Sequence, residues 1–251
     1  MIAHRRGLIL GAGAALALGG CDRVARTSGL QCSLKKAEQV SQRSQRALAR
    51  DRLAPEYEEK DISSDFRANG SVDPQASDYL ALKANGFRDY RLILDGLVEN
   101  PLSLSMTEIR ARPSRTQITK HDCVEGWSAI AKWKGARLSA ILDEARVKPE
   151  ARFVVFYCFD ALDQTEDGDR YYESIDVPEA RHEQTILAYE MNDQILPIAN
   201  GAPLRLRLER QLGYKMAKYI KRLELVESFD HIAGGKGGYW EDRGYSWYAG
   251  I

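Results

Sequence analysis

Apolar positions along the chain fall into short runs that begin near residue 66, after a long polar approach. Residues 33–52 carry Arg43, Arg46, Arg50 and Arg52 with few large apolar side chains, which supports at most a weakly amphipathic, solvated helix. Residues 90–98 then read as a strand with a turn or bulge at Asp95-Gly96. Residues 102–104 alternate, and Ser105-Met-Thr-Glu108 has the form of a capping box opening a short helix that ends before Pro113. Residues 115–120 are β-like, with a turn expected at Lys134-Gly135. Leu138, Ile141, Leu142 and Ala145 have helical spacing. Residues 152–159 are apolar almost throughout, a buried strand, and residues 185–189 are another short one. Residues 203–209 alternate strictly, directing Leu204, Leu206 and Leu208 to the core and Arg205 and Arg207 the other way. Residues 219–226 close the sheet. Strands dominate and helices are short, so the expectation is one mixed, β-rich α+β domain.

The chain of 251 residues can bury a substantial core, and its 36 Lys+Arg balance 36 Asp+Glu, which gives no sign of a nucleic-acid partner. No later apolar run reaches the roughly 20 residues that span a bilayer. Of the four cysteines (Cys21, Cys32, Cys123, Cys158) none forms a C-x-x-C pair or a haem-attachment motif, so each needs its own explanation.

The first of those explanations lies in the leader. Arg5-Arg6 followed by Gly7-Leu8-Ile9-Leu10 and an alanine- and glycine-rich stretch resembles a twin-arginine export signal, the route of proteins that fold around a cofactor before crossing a membrane. Leu18-Gly19-Gly20-Cys21 resembles a lipobox, which would make Cys21 a lipidated residue, and Asp22 resembles an inner-membrane retention signal. Four segments are expected: residues 1–21 as signal, 22–60 as tether and approach, 61–232 as the domain, and 233–251 as a Gly/aromatic tail. That tail, Gly234 to Tyr248, either lines a pocket or plugs a surface groove.

The densest chemistry lies at His121-Asp-Cys123-Val-Glu-Gly-Trp127. Taken alone, Cys123 is a buried inert thiol or the single thiolate of a soft metal whose other ligands come from a cofactor. Four blocks in order then carry a resemblance: that stretch; Trp133-Lys-Gly135 with Leu138; Asn200-Gly-Ala-Pro203-Leu-Arg205; and Gly213-Tyr-Lys215-Met-Ala-Lys218. Together, over roughly residues 66–228, they resemble the sulfite oxidase molybdopterin-binding domain, in particular a small bacterial branch that includes the catalytic subunit of periplasmic methionine sulfoxide reductase. The resemblance implies molybdenum held by one molybdopterin and by Cys123, with Asn69, Cys158, Asn200, Arg205, Met216, Ala217 and Lys218 at cofactor-binding positions. Lys215 and Lys218 would serve as cations for the cofactor, and Lys120 and His121 would favour the Cys123 thiolate if they lie near it. There are departures. Cys158 stands where the reductase branch has a threonine, the tyrosine–glutamate pair expected after Asn69 is missing, and the arginine cluster of animal and plant sulfite oxidases is not found.

These features imply a periplasmic, lipid-anchored oxidoreductase that transfers an oxygen atom and two electrons to or from a small substrate, either by sulfite-like oxidation or by S-/N-oxide reduction. Without a haem motif, its electrons would pass through a separate haem protein or cytochrome. Two competitors are a cofactor-free binding lipoprotein that kept the fold, and thiol chemistry at Cys123 activated by His121.

Overall fold

The computed structural model describes residues 52–162 and 169–251, together with Val40 and Ser44. The expected export signal, Cys21, Cys32 and most of the expected tether lie outside the described residues. Within them the alternating segments become ten strands: β1 (Arg91–Gly96), β2 (Leu102–Ser105), β3 (Ser114–Asp122), β4 (Ser128–Arg137), β5 (Phe153–Ala161), β6 (Arg170–Asp176), β7 (Ile186–Met191), β8 (Gln194–Ile195), β9 (Arg205–Arg207) and β10 (Ile220–Val226). Five helices are short: α1 (Ser77–Ala84), α2 (Met106–Arg110), α3 (Leu138–Ala145), α4 (Val177–Ala180) and α5 (Tyr239–Asp242). The strands form two five-stranded sheets. One runs β2-β1-β10-β5-β6, and the other runs β3-β4-β7-β8 with β9 paired to β7. Among these ladders β1–β10 is parallel and the rest are antiparallel, so the first sheet is mixed and the second antiparallel; the β-rich α+β class is the one expected from the sequence.

Local chemistry accounts for most boundaries. Ser105 caps α2 by accepting from the Glu108 amide, while the Glu108 carboxylate accepts from the Ser105 amide, the reciprocal box read from the sequence. On α3, Leu138, Ile141, Leu142 and Ala145 are all buried. They join Leu92 and Leu94 of β1, Phe156 of β5, Leu206 of β9 and Leu223 of β10 in the main core. A smaller cluster of Ala131, Trp133, Ile186, Ala188, Met191 and Leu196, with Phe66 packed on it, lies on the β4–β7 sheet.

The structure differs from or adds to the sequence expectations at four points. The turn at Lys134-Gly135 is absent: Gly135 is inside β4, where the pairing with β7 shifts register. A Cβ there would strike the Leu187 carbonyl oxygen and lie 2.6 Å from Ala188 Cα, so close strand approach, not a turn, requires the glycine. β4 overlaps the turn expected at Lys134-Gly135, and the buried polar Glu173, Ser174 and Asp176 obscure the period of β6, so neither is read as a strand from the sequence. Arg205 and Arg207 do face away from Leu206, but both faces of β9 are buried. Finally, the approach to the domain is attached before residue 61. Glu56 bridges to Thr119, Tyr57 donates to the Ile118 carbonyl, and the Ala54 amide donates to Gln184.

Gly135→Ala is therefore expected to destabilise the protein by about 1–3 kcal/mol, as an overpacked core site does, measured as a shift in the chemical-denaturation midpoint. An unchanged midpoint would show that β4 can move away from β7.

Candidate active site

Four separate segments build one cavity of about 200 Å³. The β3–β4 hairpin loop supplies Cys123: its amide donates to the Trp127 carbonyl and the Gly126 amide donates back to the Cys123 carbonyl, with Gly126 at φ +86. The loop before α1 supplies Asn69, whose Nδ2 donates to Cys123 Sγ at 3.3 Å. Asn200 ends the short helix Ile198–Asn200, and Arg205 opens β9. Met216 and Lys218 follow the short helix Gly213–Lys215. Thus Asn69, Cys123, Asn200, Arg205, Met216 and Lys218 converge on the same cavity. Cys158 and Ala217 are buried and do not line it: Cys158 pairs with Ile220 across β5–β10 and lines a separate cavity with Tyr171 and Tyr172, and the Ala217 carbonyl accepts from the Leu206 amide.

The electrostatics differ from the expectation in three ways. Lys215 is not a cation available to a cofactor; it is fully buried and bonded to Glu173 and Glu241. Lys120 is half-exposed and pairs with Asp122 at 3.1 Å. His121 is held neutral, its pKa depressed first by burial and then by Arg207, Arg205 and Lys218. Arg207 Nη1 donates to His121 Nδ1 at 3.1 Å, which places the ring proton on Nε2, and Met216 Sδ lies 3.3 Å from Nδ1. A Cβ on Gly213 would sit 2.5 Å from the ring, so glycine lets that segment close over the imidazole. A neutral, enclosed His121 does not supply the charge that thiol activation was expected to use.

Positive charge comes instead from Arg205 and Arg207, stacked over Trp133 at 5.0 and 4.3 Å. Arg207 and Glu209 form a fully buried pair, with Gln117 also donating to Glu209. Burial and the neighbouring Arg207 pull Arg205 down to about 9, still charged at neutrality. Lys218 Nζ donates to the carbonyls of Asn69, Ser71 and Ala199, so it pins the Asn69 loop as well as lining the cavity. Asp160, at the end of β5, also lines the cavity, and sequence reasoning missed it. Its signal was a lone acid closing an apolar strand. The tail is resolved in favour of a lining role: Trp240 and Tyr245 face the same cavity.

Whether a polar cofactor suits this cavity can be tested on its unpaired atoms. Asn200 Nδ2, Arg205 Nε, Ser71 Oγ and Asp160 Oδ1 are buried without a partner, and all four residues line the cavity. Buried polar groups are normally satisfied, so these donors and acceptors suit a ligand with its own donors and acceptors. Among the described residues no group of three or more His, Cys, Asp or Glu can hold a metal ion. A lone cavity-facing thiol suits a soft metal whose remaining ligands arrive with a cofactor. The residues fit molybdopterin.

A β-rich α+β fold with one cavity-facing thiol, converging amides, Arg205 and unpaired polar atoms has the features of a site for a polar cofactor. Residues 80–231 match the family model for the oxidoreductase molybdopterin binding domain. The chain is 37% identical over 199 residues to the putative protein-methionine-sulfoxide reductase subunit YedZ1 of Azospira oryzae, covering 79% of this chain and 68% of that protein. It is 33% identical over 148 residues to the protein-methionine-sulfoxide reductase catalytic subunit MsrP of Campylobacter jejuni, covering 56% of this chain and 50% of that one. The fold is shared with the sulfane dehydrogenase SoxCD of Paracoccus pantotrophus at TM-score 0.50 and 24% identity, over 56% of this chain and 39% of that chain. The chain belongs to the oxidoreductase molybdopterin-binding family, and it is a molybdopterin-dependent enzyme whose cofactor carries molybdenum. The cofactor-free binding lipoprotein is not favoured.

Burial pushes the Asp160 carboxyl well above the usual carboxylate range, against the opposing pull of Lys218 and Arg170. The sign follows from linkage: above the unfolded value of about 4, the unfolded chain has released a proton that the folded chain still holds, so stability falls as pH rises toward neutrality. In cofactor-free protein, Asp160→Asn is expected to flatten this decline in urea midpoints between pH 4 and 7. Parallel profiles for the two proteins would exclude the assignment.

Proposed function

We propose that the protein is the catalytic component of an exported system that reduces S-oxides, taking electrons from a separate haem protein. The overall reaction balances as sulfoxide plus two protons and two electrons giving sulfide and water. The observation that carries this reading is the convergence of Cys123, Asn69, Asn200, Arg205 and Lys218 on one cavity with unpaired polar atoms. The names of the reductase relatives favour S-oxide reduction over sulfite oxidation.

The assigned roles follow from the contacts. When bound, the cofactor supplies two-electron redox chemistry at a metal ligated by the Cys123 thiolate. Asn69 orients that sulfur by its 3.3 Å donation, which would hold the thiolate in place for a metal. Asn200 and Arg205 bind polar edges of the cofactor; Arg205 is itself aimed by its 3.0 Å donation to the Asn200 carbonyl. Lys218 holds the Asn69 loop in register through its three carbonyl contacts. Phe66, Trp127 and Leu162 limit water around the thiol. Met216 contributes through its contact with His121 and as part of the cavity wall.

The leader supports export in folded form by the twin-arginine route to the periplasm, with Cys21 as lipid anchor to the inner membrane. Among the described residues no helix is long and apolar enough to cross a membrane. An electron donor in the membrane would then meet a tethered enzyme at high local concentration.

The test is oxidation of a reduced viologen dye by cofactor-loaded protein in the presence of methionine sulfoxide. Turnover is expected, and Cys123→Ser is expected to bring it to background while the protein stays folded. Full activity in that variant with metal bound would remove the ligand assignment, and sulfite oxidation without sulfoxide reduction would reverse the direction. Arg205→Ala should lower molybdenum per chain at least several-fold; equal occupancy would exclude its binding role.

A further inference from the structure

The C-terminal segment beyond the family match forms part of the cavity wall, and its chemistry is aromatic. Trp240 and Tyr245 both line the Cys123 cavity and stack on each other with ring centres 5.2 Å apart and planes 27° apart. Tyr214, which also lines the cavity, meets Tyr245 edge-on at 5.1 Å.

This wall is fastened at several points. Glu241, next to Trp240, is buried and accepts from the fully buried Lys215 at 2.6 Å, and Lys215 also pairs with Glu173 of β6. Asp242 accepts from the amides of Gly234 and Lys236, which closes the loop ahead of α5. Downstream, Tyr214 donates to the Ser246 carbonyl, Trp247 Nε1 donates to Ser174 Oγ, and the Leu212 amide donates to the Ala249 carbonyl. Lys215 thus joins the aromatic wall to the segment that carries Met216 and Lys218.

Aromatic rings in such a fixed frame offer flat apolar surface at little ordering cost. Tyr245 is 40% exposed, so the pair spans from solvent to cavity. We propose that Trp240 and Tyr245 form a fixed shelf at the substrate entrance that selects S-oxides bearing an apolar or aryl substituent over small polar ones. This rests on the sulfoxide-reductase reading and names what that site prefers.

The experiment compares methyl phenyl sulfoxide with dimethyl sulfoxide on molybdenum-loaded protein, by kcat/KM with reduced viologen and by calorimetric binding. Trp240→Ala and Tyr245→Ala are each expected to weaken the aryl substrate about three- to tenfold, the range for loss of one aromatic pair, with a clearly smaller effect on dimethyl sulfoxide. Trp240→Phe should restore most of the preference, and molybdenum content should not change. Equal losses for both substrates would overturn the proposal in favour of a purely structural tail. Loss of molybdenum would overturn it by making the shelf a cofactor contact. If loaded wild-type protein turns over neither sulfoxide, the sulfoxide-reductase reading fails, and the calorimetric difference still decides whether the shelf discriminates.

Discussion

Two guanidinium groups buried on a three-residue strand set the terms for everything around them. Arg205 and Arg207 lie on one face of β9, both almost wholly removed from water. Burying an unpaired charge costs several kcal/mol, so each must be compensated. Trp133 offers its ring face to both, Glu209 pairs with Arg207, Gln117 holds Glu209, and His121 stays neutral and accepts from Arg207. Arg205 keeps an unpaired Nε at the cavity. The compensation is complete around Arg207 and incomplete around Arg205, which is the arrangement expected where one cation is structural and its neighbour faces a ligand.

That arrangement also explains how distant segments meet. The β3–β4 hairpin places Trp133 beneath the arginines and Cys123 at its tip, so the same ladder that neutralises the charge presents the thiol. Lys218 then ties the Asn69 loop to the segment after Gly213, and Asn69 reaches the sulfur. Stability and site geometry depend on the same contacts.

Much of this was legible in the sequence, and for identifiable reasons. The capping box at Ser105, the helical spacing from Leu138 and the alternation at 203–209 are local patterns, and local chemistry determined them. Cys123, Asn200, Arg205, Met216 and Lys218 were found through ordered motif blocks and Asn69 through a short local resemblance at residues 66–70, and the cavity brings them together. What was not legible depended on tertiary partners. Gly135 looks like a turn until Leu187 is seen against it, and Lys215 looks like a ligand cation until Glu173 and Glu241 enclose it. Asp160 carried no motif, and the tail aromatics could be assigned to the cavity only once α5 was in place.

X-ray absorption at the molybdenum edge of the loaded protein tests the central claim, that Cys123 is the protein's ligand to the metal, most directly. The expected result is one more sulfur ligand at the metal in the wild type than in Cys123→Ser. The same sulfur count in both proteins would contradict it.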